Sequence, residues 1–224
     1  MALVNLLRNA KHALLVVGCL TSFVAHASES SCAPPPGFVD SPHPLITADT
    51  NLVSHTEELD INRPLADVLS AANKPLEKSI NSSNSLPGVS GVHMLTQGEF
   101  GSPGSRRITC LSDASTLVEE SLERETTSHS FKFRYIVWNY TSDKARAVDF
   151  GVGQFLYEAR DAGRSTHVTW TYSFKLKTQH FPGNLGGLGR YLFRIFFLER
   201  DYAAMMRGVL AGYKADAEHI ERTK

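Results

Sequence analysis

Only three cysteines stand in the 224 residues, Cys19, Cys32 and Cys110, too few for a disulfide-built scaffold and without the paired CxxC spacing of a zinc site. Neither sign of charge is in excess: lysine plus arginine and aspartate plus glutamate both number 23, so no bulk field draws the chain to nucleic acid or to an anionic membrane, and any partner must be recognised locally. The sequence has no HExxH, no nucleophile elbow and no phosphate-binding glycine loop. Metal, thiol, serine-hydrolase and nucleotide chemistry therefore lack support, and no cofactor is expected. The glycine-rich stretch Leu185-Gly186-Gly187-Leu188-Gly189 follows no Rossmann strand and reads as relief of crowding at a helix start. No apolar run is long enough to span a membrane once the first residues are removed.

What is there is the composition of one globular domain, 42% hydrophobic and 21% charged. Residues 1–27 read as an export signal: Arg8 and Lys11 give a positive start, Ala13 to Val24 an apolar stretch, and Ala25-His26-Ala27 a small-x-small cleavage pattern. A second reading takes Val16-Val17-Gly18-Cys19 as a lipoprotein box with a lipid tether on Cys19. The chain is expected in the periplasm or secreted. There, an oxidising compartment permits a disulfide between Cys32 and Cys110; two free thiols are the alternative. Residues 28–50, with Pro34, Pro35, Pro36, Pro42 and Pro44, read as a leader or tether.

From residue 51 to residue 219 the texture is that of a folded domain, with 220–224 a tail. Leu52 to Ile61 reads as a strand, and Pro64 opens a short helix with Leu65, Val68, Leu69 and Ala72 on one face. Strands are predicted at Val92–Gln97, Arg106–Leu111, Ser115–Glu125, Ser130–Tyr140, Val148–Arg160 and Thr166–Lys177, joined by short turn-forming breaks that suit antiparallel neighbours. In the last of these Val168, Trp170, Tyr172, Phe174 and Leu176 alternate with polar residues, so one face is expected to be buried and the other solvated. A helix over Leu185–Glu218 carries a stripe of Leu188, Tyr191, Ile195, Leu198, Tyr202, Met205 and Val209.

The order strand, short helix, six strands, long helix is the helix-grip arrangement. Four local patterns add to it: Ile61-Asn62-Arg63-Pro64-Leu65-Ala66-Asp67-Val68-Leu69, Leu86-Pro87-Gly88-Val89, Gly104-Ser105-Arg106-Arg107 and Thr169-Trp170-Thr171-Tyr172-Ser173-Phe174. Together they resemble the START-like (SRPBCC) ligand-binding superfamily, in particular its polyketide cyclase/dehydrase branch. The resemblance implies an α+β, Bet v 1-like fold: a curved antiparallel sheet of about seven strands around a long C-terminal helix. It also implies a cavity for a small hydrophobic molecule such as a lipid or polyketide.

In that frame Phe131, Phe133, Tyr135, Trp170, Tyr172 and Phe174 form an aromatic inner wall, with Ile195 and Tyr202 facing them from the helix. A filled core is the plainer reading of the same rings. If Val118 and Leu122 face inward, so do Glu120 and Arg124, and a buried Glu120 needs a cation, water or ligand group beside it. A rim position with surface ion pairs is the other possibility. The leading expectation is an exported binding or carrier protein. A cyclase- or dehydrase-type enzyme is the alternative, with Glu120, Arg124, Tyr172 or His93 moving protons. A third is an interaction module docking through Phe193, Phe196 and Phe197, which could instead line a ligand portal or touch a membrane; burial beneath the 178–187 loop and the first helix is the plainer reading of the same rings. Oligomeric state is not legible from the chain.

Overall fold

The computed structural model describes residues 32–81 and 85–219. The export signal, the Cys19 alternative and the 220–224 tail lie outside the described residues.

Period-two alternation drives the architecture. The strand β1 (Val53–Ile61) is followed by two helical pieces, α1 (Leu65–Ala72) and α2 (Leu76–Ser79). Six strands come next: β2 (Val89–Met94), β3 (Arg106–Leu111), β4 (Thr116–Thr126), β5 (Ser130–Trp138), β6 (Val148–Arg160) and β7 (Ser165–Leu176). They form one curved antiparallel sheet of seven strands in the order β1-β7-β6-β5-β4-β3-β2. Each consecutive pair from β2 to β7 is a hairpin, and β1 closes against β7 with Val53 opposite Phe174 and Ile61 opposite Thr166. The sheet is the one expected, with two local differences. β2 begins three residues earlier than predicted, because Val89 already pairs with Leu111 across a bulge at Gly91. The single turn α2 was not anticipated; Pro75 precedes it, and its Leu76 and Ile80 side become a cavity wall.

The C-terminal helix runs without a break through α3 (Gly186–Phe193), a π-helical stretch over Arg194–Tyr202, and α4 (Ala203–His219). Its wide turns have a packing cause. Phe193, Phe197 and Tyr202 all meet the ring of Phe174, at centroid distances of 5.5, 5.9 and 4.9 Å, although they are four and five residues apart. A helix of 3.6 residues per turn would rotate the third ring away; the i→i+5 turn keeps all three on one side. The predicted stripe consequently holds only from Leu198 onward. Leu198 and Val209 are buried, whereas Leu188 and Tyr191 are each 59% exposed and Ile195 is only half-buried. At the helix start Gly189 is required: a Cβ there would lie 1.7 Å from the Pro182 carbonyl oxygen.

The other face of the sheet is not simply solvated. On β3 to β6 it carries Ile108, Val118, Ile136, Trp138, Phe150 and Val152, all buried. Phe38 and Ile46 of the proline-rich leader cover them, together with Leu52 just before β1. Cys32 is joined to Cys110 by a disulfide with Cα atoms 5.6 Å apart, and Arg106 Nη1 donates to Asp40 at 2.8 Å. The described part of the leader therefore has no helix or strand and is nevertheless packed, because the second phase of the same strands is apolar there. Towards β1 and β7 this face is polar, with Thr56–Thr171 and Ser54–Ser173 hydroxyl pairs.

Candidate functional site: a two-chambered cavity

Between the concave face, α2 and the C-terminal helix lie two adjoining hollows, of about 840 and 510 Å³. Both fall in the size range of small-molecule sites. Glu119, Tyr135 and Trp170 from the sheet, with Leu76 and Ile80 beside α2, line both, so these five form the waist between them. The space exists partly because β6 omits two side chains. A Cβ at Gly153 would sit 2.2 Å from the Tyr135 ring, and one at Gly151 would sit 2.6 Å from the Tyr172 hydroxyl. With glycine there, both rings lie down on the sheet instead of filling the hollow.

The larger chamber is walled by Leu117, Val137, Tyr140, Tyr172, Phe174, Phe193, Phe197, Tyr202 and Met205. It opens past Phe181 and Phe196 on one lip and Lys144 and Arg146 on the other. The smaller is walled by Phe131, Phe133, Phe155, Tyr157 and Tyr213, with Arg107, Arg124 and Lys74 as its charged groups. Of the predicted aromatic wall, Phe131 and Phe133 thus face the smaller chamber, Tyr172, Phe174 and Tyr202 the larger, and Tyr135 and Trp170 both. Ile195 lines neither, as the wide helical turns rotate it aside.

The acid differs from the one expected. Glu120 faces the leader, with His43 Nε2 3.9 Å from its carboxylate, and the inward acid is Glu119. β3 and β4 pair Arg106 with Glu120 and Arg107 with Glu119, so one base–acid pair goes to each face. A bulge between Ser121 and Glu123 then inserts Leu122 and reverses the phase, which returns Arg124 to the inner face opposite Phe133. Glu119 accepts from Arg107 Nε at 2.5 Å and from Thr109 Oγ1 at 3.2 Å. Its side chain is 10% exposed and that of Arg107 15%, so neither charge is buried alone. Arg107 also lies over the Phe100 ring at 3.8 Å, and Arg124 over Phe131 at 5.2 Å. The adjacent pairs Arg106-Arg107 and Glu119-Glu120, read against the inward Leu117, carried the signal for Glu119.

The phenols set the chemistry. Burial pushes the hydroxyls of Tyr135, Tyr172 and Tyr202 well above the ordinary tyrosine range, with Glu119 reinforcing the effect at Tyr135 and neighbouring phenols at Tyr172. Tyr140 is raised as well, again chiefly by burial. These groups remain protonated donors across the physiological range. Two buried donors that line the chambers have no partner among the described residues: Tyr140 Oη and Trp170 Nε1, the latter in a residue only 2% exposed. The phenols of Tyr172 and Tyr135 approach them without reaching hydrogen-bond geometry.

The residues considered for proton transfer do not converge. Arg124 and Tyr172 line different chambers, while Glu120 and His93 line neither. His167 sits at the β1–β7 edge, bonded to Asp60 at 2.7 Å. Of the three helix phenylalanines, Phe193 is buried, Phe197 half-buried, and Phe196 60% exposed. Among the described residues no group of His, Cys, Asp and Glu is arranged to hold a metal ion, and no helix is long and apolar enough to cross a membrane.

No family model matches the chain, and no curated protein matches it. Solved structures do. Ara h 8.0201, a Bet v 1-like protein, aligns with a TM-score of 0.51 and 11% identity over 75% of this chain and 99% of its own. A hypothetical protein from Helicobacter pylori aligns with 0.51 and 14% identity over 80% and 98%. The di-domain aromatase/cyclase StfQ of the steffimycin biosynthetic pathway aligns with 0.54 and 15% identity, over 76% of this chain and 52% of StfQ. At these identities the likeness is one of fold: the chain has the helix-grip, Bet v 1-like architecture that the aromatase/cyclase also has.

Proposed function

We propose that the protein is an exported carrier that holds one small hydrophobic molecule, lipid- or polyketide-like, between the sheet and the C-terminal helix. The observation that carries this reading is the larger chamber: about 840 Å³ of space walled by aromatic rings, into a fold whose core could have been filled. The two unpartnered donors support it further. An unsatisfied buried donor costs about 1–3 kcal/mol, a cost that an acceptor oxygen on a bound molecule would remove. Export is supported by the Cys32–Cys110 disulfide, since such bonds persist in oxidising compartments.

Native mass spectrometry of the mature protein, followed by delipidation and titration with fluorescent fatty acids and flat aromatic polyketides, tests the proposal. One ligand per chain, displaced competitively, is the expected result. A protein that neither retains nor takes up any apolar molecule would end this reading.

A further inference from the structure

We infer that the mouth of the larger chamber docks on an anionic lipid bilayer, so that cargo passes between membrane and cavity without crossing water; this rests on the carrier reading above. Phe181 and Phe196 are 66% and 60% exposed and also line the chamber, so the apolar interior continues onto the surface. Leu185 and Leu188, 43% and 59% exposed, extend the same helix face outward from Leu192 and Phe196 at spacings of three and four residues. Single exposed apolar side chains are ordinary, but a set framing an opening marks a contact surface.

Charge decides what that surface meets. Residues 177–196 contain no acid; of the acids lining the chamber beside its exposed residues, Asp201 is paired with Arg200, and Asp143 stands next to Lys144 and Arg146 in the chain. Lys144, Arg146, Lys177 and Arg190 make no ion pair or side-chain hydrogen bond among the described residues. Apolar side chains amid uncompensated cations are the complement of a bilayer with anionic headgroups, where rings enter the acyl boundary and cations stay at the phosphates. A second copy packed about a two-fold axis would bring these like charges together.

The test uses flotation of the mature protein with phosphatidylcholine vesicles, with and without about a third phosphatidylglycerol. Binding should require the anionic lipid and weaken as salt rises. It should fall roughly tenfold in a Leu185→Ser, Leu188→Ser double variant and in Arg190→Glu. These residues do not line the chambers, so uptake of a fluorescent fatty acid from solution, read in the same samples, should be unchanged. Absent or unaltered vesicle binding with uptake intact overturns the docking proposal and leaves the carrier; vesicle binding without uptake does the reverse. A concentration-dependent dimer dissolved by the same substitutions assigns the patch to a second copy and also overturns the proposal.

Discussion

The two faces of one sheet are finished in opposite ways. The convex side of β3 to β6 is closed by the leader, with its Phe38 and Ile46 and the adjoining Leu52 seated on an apolar floor. On the concave side Gly151 and Gly153 thin the floor, the helix stands off on large rings, and space remains. The same strands thus supply a packed core to one face and a binding chamber to the other. The difference lies less in hydrophobicity than in where side chains are missing and where a covalent clamp is present.

The strongest way to break this comparison is to open the clamp. Cys110→Ser opens a loop spanning 78 residues, and the chain-entropy cost of such a loop is about 4.5 kcal/mol. Urea unfolding should show a loss of that size, while the delipidated protein still takes up ligand. If uptake falls in parallel, the faces are not independent.

Next in size is Arg107→Met, which leaves Glu119 in the waist without its cation and is expected to cost about 2–3 kcal/mol. The loss should shrink when Glu119→Gln is made alongside, since no charge is then left unpaired. An equal loss with and without the Glu119 carboxylate would mean that Arg107 contributes packing and not charge. Gly153→Ala should follow at about 2 kcal/mol, since the Tyr135 ring is held by Phe133 at 5.6 Å and Tyr172 at 6.1 Å and cannot swing aside cheaply. Here ligand uptake should fall with stability, unlike in the Cys110 variant, because the ring is driven into the cavity.

Much of the concave face was legible in the chain. β5 and β7 alternate so cleanly that Phe131, Phe133, Tyr135, Trp170, Tyr172 and Phe174 could be placed on one side from period alone. What failed did so for local reasons. A one-residue bulge at Leu122 leaves no compositional mark, yet it puts Glu119 and Arg124 inside and Glu120 outside. The wide turns after Phe193 exist only because three rings share Phe174, a tertiary cause that no helical repeat encodes. The leader's packing was hidden by its prolines, although the apolar second phase of Ile108, Val118, Ile136 and Trp138 was present to receive it.

The smallest expected effect is the most discriminating. Because burial raises the inner phenols, the folded state resists their ionisation: stability is full below the unfolded value of 10.0 and should decline only as pH rises beyond it. Phenolate absorbance from these groups should therefore appear together with unfolding. Tyr140→Phe removes one unpartnered hydroxyl and keeps the ring, so the empty protein should become more stable by up to about 1 kcal/mol. A ligand that offers this hydroxyl an acceptor should bind the variant more weakly, by a similar amount. Stability and affinity would then move in opposite directions at a single atom. On the convex face the orphaned Trp138 Nε1 meets only the leader, so Trp138→Phe should leave affinity untouched. Urea unfolding and ligand titration of the two variants side by side test whether the concave donors are kept unpaired for a ligand or are merely misfits of packing.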